Sequence, residues 1–372
     1  MELEKFLSEF DGISLRLKRR IESYDWTAIE ASRPLAGTAV SASWLRTFCE
    51  HWATRYDWEA FSARISELNH VFDGTGEECL HGIHFKGTGR LPLLVLIHGW
   101  PSSFLEFLDL ARRLAASGYE VLVPSLPGYA FSAPVHHPIG PRLAAKRIAA
   151  LVRRLGATRF IAHGGDWGAE VSVCLGLIAP DCAGVHLAMR GMAGNEPLSM
   201  LQSRQERAWK RRAARRYAAG GLYMEMQTRE PLLIGAALAD SPVGTAGWIS
   251  DKFLRWTDTH GRSAQVADGI VDQNFLMDTT TLYCATASVA SSLWMYPGYT
   301  KEERTMPCRL EVPTAIFELP NDPVFPWPPR SLLERHYEIR RWTTPPFGAH
   351  FAALETPDHL FADLLAFADV VG

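Results

Sequence analysis

One aspartate of the sequence lies in a glycine-rich turn of the kind that presents a nucleophile. The segment HGGDWGAEVS spans residues 163–172, and three glycines surround Asp166 in it: Gly164, Gly165 and Gly168. An apolar strand-like segment precedes this turn and a helix-like segment follows it, which is the context of a nucleophile elbow. A carboxylate nucleophile forms an ester with an alkyl carbon. The pattern therefore predicts substitution at a saturated carbon, such as the opening of an epoxide or the displacement of a halide.

A histidine and an acid near the end of the chain could complete a hydrolytic site with Asp166. His350 lies in PFGAHFAALE, in a Gly/Pro-rich turn after the last predicted strand, and could draw a proton from water. Asp322 follows the predicted strand VPTAIFEL and is the expected acid that orients the imidazole, because nucleophile, acid and histidine then follow in the chain order of this elbow. Glu318, inside that strand, is the alternative acid. His359 falls in the next helix-like segment and is expected at the surface.

Backbone amides near Asp166 are candidates for an oxyanion hole. The sequence HGWP, residues 98–101, ends an earlier strand, and such a loop supplies one backbone N–H while the residue after the nucleophile supplies another. These donors would be the amides of Trp100 and Trp167. Trp100, Pro101 and Trp167 are also the predicted substrate contacts. His98 is expected to be a structural hydrogen-bonding residue of this turn.

Alternation of strand-like and helix-like segments from residue 91 predicts the architecture. Short apolar runs separated by helical segments indicate a mostly parallel sheet with helices on both faces, and the elbow identifies it as an α/β-hydrolase fold. The helix after the elbow is predicted to begin near Ala169. The alternation breaks between about residues 190 and 305, which indicates a helical cap inserted late in the sheet. The predicted units are an N-terminal helical region and a core interrupted by the cap: residues 1–85, 86–190, 191–305 and 306–372.

Composition limits the classes of protein and partner. The 372 residues are 47% hydrophobic with a net charge of −3, which excludes disordered and fibrous classes and gives no global attraction for nucleic acid. The basic run in residues 203–221 is interpreted as a solvated helix face. The six cysteines have no metal-ligand spacing, so neither a metal nor a cofactor is predicted. Without a signal peptide or a membrane-length apolar run, the expected location is the cytoplasm.

Several motifs, taken together and in order, resemble one family of enzymes. HGWPSSFLEF, PSLPGYAFS, GGDWGAEVS and GAHFAALE are similar to the motifs of microsomal-type epoxide hydrolases, which include insect juvenile hormone epoxide hydrolases and soluble bacterial relatives. The segment from HWATRYDWEAF through GIHF resembles the N-terminal region of the same family, so the similarity extends over nearly the whole chain. The resemblance implies a cofactor-independent hydrolysis of an epoxide to a vicinal diol, through an ester on Asp166.

The resemblance also implies a role for two tyrosines of the cap. Members of the family use two cap tyrosines to donate hydrogen bonds to the epoxide oxygen, and the similar segments place these roles on Tyr223 and Tyr296. A phenol pair suits this role, because it can supply a proton to an alkoxide without becoming a competing nucleophile. Tyr217 and Tyr299 are close to the two matching segments and are the alternative donors.

Some features depart from the family's pattern or leave alternatives open. Membrane-bound members carry an N-terminal anchor that this sequence lacks, so a soluble form is expected, and many of them have glutamate where this chain offers Asp322. Dehalogenation at the same aspartate, with Trp167 binding the halide, and a noncatalytic receptor for a hydrophobic ligand are the alternative functions. The aromatic residues predict a bulky apolar epoxide, from natural-product biosynthesis or from xenobiotic or lipid turnover. A homodimer is one assembly that the sequence leaves open.

Overall fold

A single eight-stranded sheet forms the centre of the protein. The computed structural model describes residues 2–30, 39–88, 91–132, 134–191, 198–259, 271–302 and 309–372. Within them the strands are β1 His70–Asp73, β2 Leu80–Phe85, β3 Leu93–Ile97, β4 Val121–Pro124, β5 Phe160–Gly164, β6 Cys182–Leu187, β7 Leu310–Phe317 and β8 Tyr337–Thr343. Their order in the sheet is β1-β2-β4-β3-β5-β6-β7-β8.

The six later strands pair in parallel, as the alternating pattern predicts. Each neighbouring pair from β4 through β3, β5, β6 and β7 to β8 is parallel, whereas β1 and β2 join the β4 edge in antiparallel pairs. Strand β3 is apolar over its whole length, and every residue of β3 and β5 is buried. A strand covered on both faces needs such a continuous apolar run. The carboxyl ends of the parallel strands consequently meet along one edge of the sheet.

Helices cover both faces of the sheet and fill the long connection between β6 and β7. In the part of the chain that the structure describes they are α1 Leu3–Glu22, α2 Thr27–Glu30, α3 Ala42–Thr54, α4 Trp58–Ser66, α5 Leu108–Ala116, α6 Pro141–Arg154, α7 Asp166–Ile178, α8 Arg204–Gly220, α9 Leu222–Arg229, α10 Pro231–Asp240, α11 Pro242–Trp256, α12 Gln273–Ala285, α13 Ser288–Ser291, α14 Met295–Lys301, α15 Arg330–Leu333, α16 Ala352–Glu355 and α17 Pro357–Val371. Helices α8 to α14 lie within the segment predicted as the cap.

Two features of the fold differ from the sequence-based expectation. Helix α7 begins at Asp166 and not near Ala169, because the turn leads from the extended Gly165 directly into the helix. The N-terminal region is not wholly helical, since β1 and β2 lie within residues 1–85 and β2 pairs with β4 of the core sheet. The predicted boundary at residue 85 therefore falls at the end of a strand of the main sheet.

The N-terminal helices pack onto the inserted helices through an aromatic cluster. Trp52 of α3 is fully buried, stacks on Trp58 with ring centroids 5.6 Å apart, and donates its indole N–H to Thr281 Oγ1 of α12 at 2.9 Å. Beside it, Asp278 of α12 accepts a hydrogen bond from the hydroxyl of Tyr56 at 2.5 Å and a bidentate pair from Arg64 at 2.7 and 2.8 Å. These contacts fix the position of α12 relative to the N-terminal helices.

The cysteines that the structure describes are free thiols. Five cysteines are free: Cys49, Cys79, Cys174, Cys182 and Cys284. Cys308 lies outside the described residues. No single helix in the described ranges is long and apolar enough to cross a membrane; α10 and α11 reach that length and apolarity only as a pair, which is bent by 116°.

Replacing Asp278 with alanine should destabilise the protein by about 1–3 kcal/mol, because a buried tyrosine hydroxyl and a guanidinium lose their acceptor. Urea unfolding monitored by circular dichroism measures this change. Asp240→Ala is the matched control, since the Asp240 side chain is 88% exposed in its ion pair with Arg20, and such a surface change should stay within about 0.5 kcal/mol. Equal effects of the two substitutions would show that the contacts of Asp278 do not hold α12 in place.

Candidate active site

Asp166 occupies a strained turn at the end of the central strand β5. Its φ is +47°, in the left-handed region that is unfavourable for a side chain with a Cβ. The turn needs close backbone approach: a Cβ added to Gly168 would lie 1.9 Å from the carbonyl oxygen of Ile97, and one added to Gly99 would lie 2.3 Å from the Asp166 side chain. The two glycines thus let α7 start against β3 and the HGWP loop. Backbone strain of this kind is concentrated at functional sites.

The structure brings His350 and Asp322 to Asp166. Nδ1 of His350 lies 3.0 Å from Oδ2 of Asp322, a hydrogen bond, and Nε2 of His350 lies 3.6 Å from Oδ2 of Asp166. Asp322 is fixed in turn, because its Oδ1 accepts the backbone N–H groups of Val324 at 2.8 Å and Phe325 at 2.6 Å. The three side chains come from the loops after β5, β7 and β8, at the carboxyl ends of the parallel strands. Ligands of such sheets bind at this edge.

Two further carboxylates hold the loop that carries His350. Glu355 is buried, and its carboxylate accepts four backbone N–H groups at 2.7–3.1 Å, those of Asp258, Ala349, His350 and Phe351. Asp258 follows α11, and its Oδ2 accepts the Gly348 N–H at 2.9 Å and a proton of the Asn321 amide at 2.8 Å. Asp258 therefore connects the inserted helices to the loops of both His350 and Asp322.

The HGWP loop places Trp100 directly against the aspartate. The Trp100 backbone N–H donates to Oδ1 of Asp166 at 2.9 Å, and Trp167 provides the next amide of the chain, in the first turn of α7. Pro101 is joined to Trp100 by a cis peptide bond and is buried beside it. His98 makes only structural contacts with its ring, because Nδ1 lies 3.0 Å from the Gly99 carbonyl oxygen and Nε2 accepts the Leu126 N–H at 3.1 Å.

Tyr223 and Tyr296 lie together above this loop. Both are almost fully buried, and their rings are 6.1 Å apart and nearly perpendicular. The Trp100 ring stacks on Tyr223 at 5.5 Å and meets Tyr296 at 6.1 Å, while Trp167 contacts Tyr296 at 4.8 Å. Tyr223 comes from α9 and Tyr296 from α14, so two inserted helices bring the phenols to one place.

The alternative residues named from the sequence lie in different surroundings. Glu318 accepts hydrogen bonds from the Trp342 indole at 2.9 Å and from the Thr344 hydroxyl at 3.1 Å, so its carboxylate is engaged at the end of β8. Tyr217 is 36% exposed and its hydroxyl contacts Glu225 at 3.2 Å. Tyr299 packs its ring on Trp167 at 5.2 Å and is partly buried. His359 is exposed on α17.

The pKa values of the histidine and of both tyrosines are raised, but for different reasons. Burial alone would lower the pKa of His350, but its hydrogen-bonding contacts with Asp166 and Asp322 and their negative charges raise it to about 10. Burial raises the pKa of Tyr223 and of Tyr296 well above the usual value, and the charge of Asp166 acts in the same direction. At neutral pH the site therefore combines an imidazolium between two carboxylates with two neutral phenols that can donate hydrogen bonds.

Several residues of the site escaped the sequence analysis. Trp256 of α11 packs its ring on His350 at 4.9 Å and on Tyr223 at 5.1 Å. The hydroxyl of Tyr283 donates to the Ser102 carbonyl at 2.9 Å, and Tyr129 packs on His98 at 5.0 Å. Glu355 and Tyr129 had a local signal, their places in GAHFAALE and PSLPGYAFS. Trp256 and Tyr283 are distant in sequence and meet the site only in the fold. Among the described residues no group of three or more His, Cys, Asp or Glu is arranged to hold a metal ion.

Two family profiles match the chain in overlapping segments. The profile described as "Epoxide hydrolase N terminus" matches residues 11–107, and that described as "alpha/beta hydrolase fold" matches residues 92–221. The first match covers the N-terminal helices together with β1, β2, β3 and the HGWP loop. The second covers the core from β3 to the start of the inserted helices, including the turn at Asp166.

Relatives with similar sequences and structures extend over most of the chain. A protein of Stigmatella aurantiaca that is assigned by name to the epoxide hydrolases is 34% identical over 92% of this chain and 79% of its own length. Juvenile hormone epoxide hydrolase 1 of Ctenocephalides felis is 28% identical, over 86% of this chain and 75% of that protein. The Aspergillus niger epoxide hydrolase structure is 26% identical, with a TM-score of 0.81 over 97% of this chain and 94% of that one. This chain therefore belongs to the microsomal-type epoxide hydrolase family and has its α/β-hydrolase fold.

Proposed function

We propose that this epoxide hydrolase opens a bulky apolar epoxide through a covalent ester on Asp166 and then cleaves the ester with water to a vicinal diol. The observation that carries the proposal is the arrangement of Asp166 itself. One of its oxygens accepts the Trp100 amide at 2.9 Å, while the other faces Nε2 of His350 at 3.6 Å, below two buried tyrosines. One carboxylate oxygen is thus held and the other is left to react.

In the first step Oδ2 of Asp166 attacks an epoxide carbon and the carbon–oxygen bond of the ring breaks. The opening oxygen develops negative charge, which the hydroxyls of Tyr223 and Tyr296 stabilise before one of them transfers its proton. The high pKa of both phenols keeps them protonated as donors at neutral pH. The ester that forms has no charge, so the carboxylate that supported the imidazolium of His350 on one side is gone.

In the second step His350 acts as a base. Loss of the Asp166 charge removes one cause of its raised pKa, so the imidazolium can release its proton to the phenolate left by the first step. Neutral His350, oriented by Asp322, then draws a proton from water as the water oxygen attacks the ester carbon. The Trp100 and Trp167 amides stabilise the resulting oxyanion. Collapse releases the diol and restores the aspartate.

The lining of the site favours an apolar substrate. Five aromatic side chains surround the reacting carboxylate and the histidine, and all are nearly fully buried: Trp100, Trp167, Tyr223, Trp256 and Tyr296. Such a lining binds large flat or branched apolar groups better than small polar ones. A panel of aryl, terpenoid and short alkyl epoxides should therefore be hydrolysed in that falling order of kcat/KM.

Single-turnover labelling tests the ester. With excess enzyme in water enriched in oxygen-18, the label should enter Asp166 and be absent from the first diol, because water attacks the carboxyl carbon. Mass spectrometry of the Asp166 peptide measures it. His350→Gln should accumulate a peptide heavier by the mass of the epoxide, and Asp166→Asn should give neither adduct nor diol. Label in the first diol would mean direct attack of water on the epoxide and would refute the ester.

Removal of either phenol should slow the first step. We expect Tyr223→Phe and Tyr296→Phe each to lower the rate of ester formation about 10²-fold, the usual cost of losing one donor to a developing oxyanion. Stopped-flow fluorescence of the site's tryptophans follows this step. Tyr217→Phe, on the exposed end of α8, is the matched control and should react like the wild type. A strong loss in the Tyr299→Phe variant and none in Tyr296→Phe would instead assign the role to Tyr299.

The charge of Asp166 should be visible in the titration of His350. In Asp166→Asn, which like the ester has no charge, we expect the pKa of His350 to fall from about 10 by at least about one unit. Nuclear magnetic resonance of ¹⁵N-labelled imidazole rings measures the titration. Asp358→Asn removes an exposed charge on α17 and should leave the His350 pKa unchanged. An unchanged pKa in both variants would contradict the proposed change of His350 from acid to base.

A further inference from the structure

A small cavity below Asp166 has the size of one water molecule and a partly polar lining. It leaves ≈ 10 Å³ for the centre of a water molecule, which is about the room that one ordered water needs. Four of its lining residues offer polar side-chain groups to a bound water: Ser102, Glu106, Asp166 and His350. The other walls include Ile97, Phe107 and Phe351. A water here would touch both the carboxyl group of Asp166 and the imidazole of His350.

Two polar atoms at this cavity make no hydrogen bond of normal length within the described chain. They are Oγ of Ser102 and Nε2 of His350, both buried, and the Asp166 oxygen that faces Nε2 lies 3.6 Å away. The His98 ring also lines the cavity, but both of its nitrogens are used by the backbone of Gly99 and Leu126. Buried polar groups are almost always hydrogen-bonded to protein or to ordered water. These serine and histidine atoms therefore point to a water between them.

We propose that Glu106 and Ser102 hold the water that cleaves the ester, with its oxygen directed at the carboxyl carbon of Asp166 and one proton directed at Nε2 of His350. This inference rests on the ester mechanism proposed above. In that step the water oxygen bonds to the carboxyl carbon, and its first proton passes to His350 and on to the departing alkyl oxygen as the carbon–oxygen bond of the ester breaks. During the attack, the Glu106 carboxylate accepts a hydrogen bond from the second proton of the water. This proton ends on His350 when the ester has been cleaved. Glu106 is thus a positioning residue.

Glu106 lies close to the charges of both reacting neighbours. Burial raises the pKa of Glu106 to about 7, the charge of His350 lowers it, and the charges of Asp166 and Glu355 raise it. Forming the ester removes the charge of Asp166, which lowers the pKa of Glu106, and the later loss of the His350 proton raises it. Glu106 therefore ionises near neutral pH, so the rate of ester hydrolysis should depend on pH through this group.

The test separates the two chemical steps for one probe, trans-stilbene oxide. In Glu106→Gln we expect ester formation within about twofold of the wild type and ester hydrolysis slowed about 10- to 100-fold, the scale on which misplaced reactants lose rate. Stopped-flow fluorescence gives both rates, and intact-protein mass spectrometry should show the ester accumulating. The pH profile of hydrolysis should lose the rise that comes from ionisation of Glu106 and keep the rise from deprotonation of His350. Ser102→Ala, which leaves the carboxylate in place, should slow hydrolysis less.

Asp109→Asn is the matched control, because it removes a carboxylate from the same stretch of chain whose side chain is 95% exposed. It should form and cleave the ester like the wild type. Wild-type ester hydrolysis in Glu106→Gln, with its pH profile unchanged, would overturn the role of Glu106 and leave the ester mechanism intact. If no ester appears in the wild type or in His350→Gln, the proposed function fails and the water role fails with it. Equal slowing of both steps in Glu106→Gln would show a general structural effect and would also overturn the proposal.

Discussion

At Asp166 the chain passes from a fully buried strand into a buried helix through a residue with a φ of +47°. This turn is possible only because the helix backbone approaches β3 at Gly168 and the HGWP loop approaches the aspartate at Gly99. The same close approach delivers the Trp100 amide to Oδ1 of Asp166. The direction in which the second carboxylate oxygen faces is therefore fixed by backbone packing in the core. The other groups of the site must be positioned relative to this oxygen.

Around this fixed carboxylate the site balances charge within a buried volume. An imidazolium lies between Asp166 and Asp322, and a buried charge is tolerated when it is paired and hydrogen-bonded. In the proposed mechanism, conversion of Asp166 to a neutral ester disturbs this balance, and His350 then loses its proton more easily. One chemical change thus prepares the base for the second step without any movement of the backbone.

The inserted helices and the N-terminal region position the side of the site that carries Tyr223 and Tyr296. Tyr223 and Tyr296 belong to different helices, and their positions depend on how those helices pack over Trp100. Helix α12 is held to the N-terminal region by Asp278 and Thr281, while Tyr283 of the same helix bonds to the loop of Ser102. Asp258, at the end of α11, bonds to the loops of His350 and Asp322. Helix α12 consequently links the N-terminal region to the site.

The parallel sheet and the elbow at Asp166 could be predicted from sequence because both are local patterns: a buried strand needs an unbroken apolar run, and the turn needs its glycines. The order of aspartate, acid and histidine limited the partners to a few residues, and the resemblance to a family supplied the tyrosines. The sequence left open the choice between Asp322 and Glu318, and it did not indicate the contacts of Trp256, the position of Glu106 at the cavity, or the pairing of β2 with the core. Each of these depends on contacts between residues far apart in the chain, which are decided only by tertiary packing.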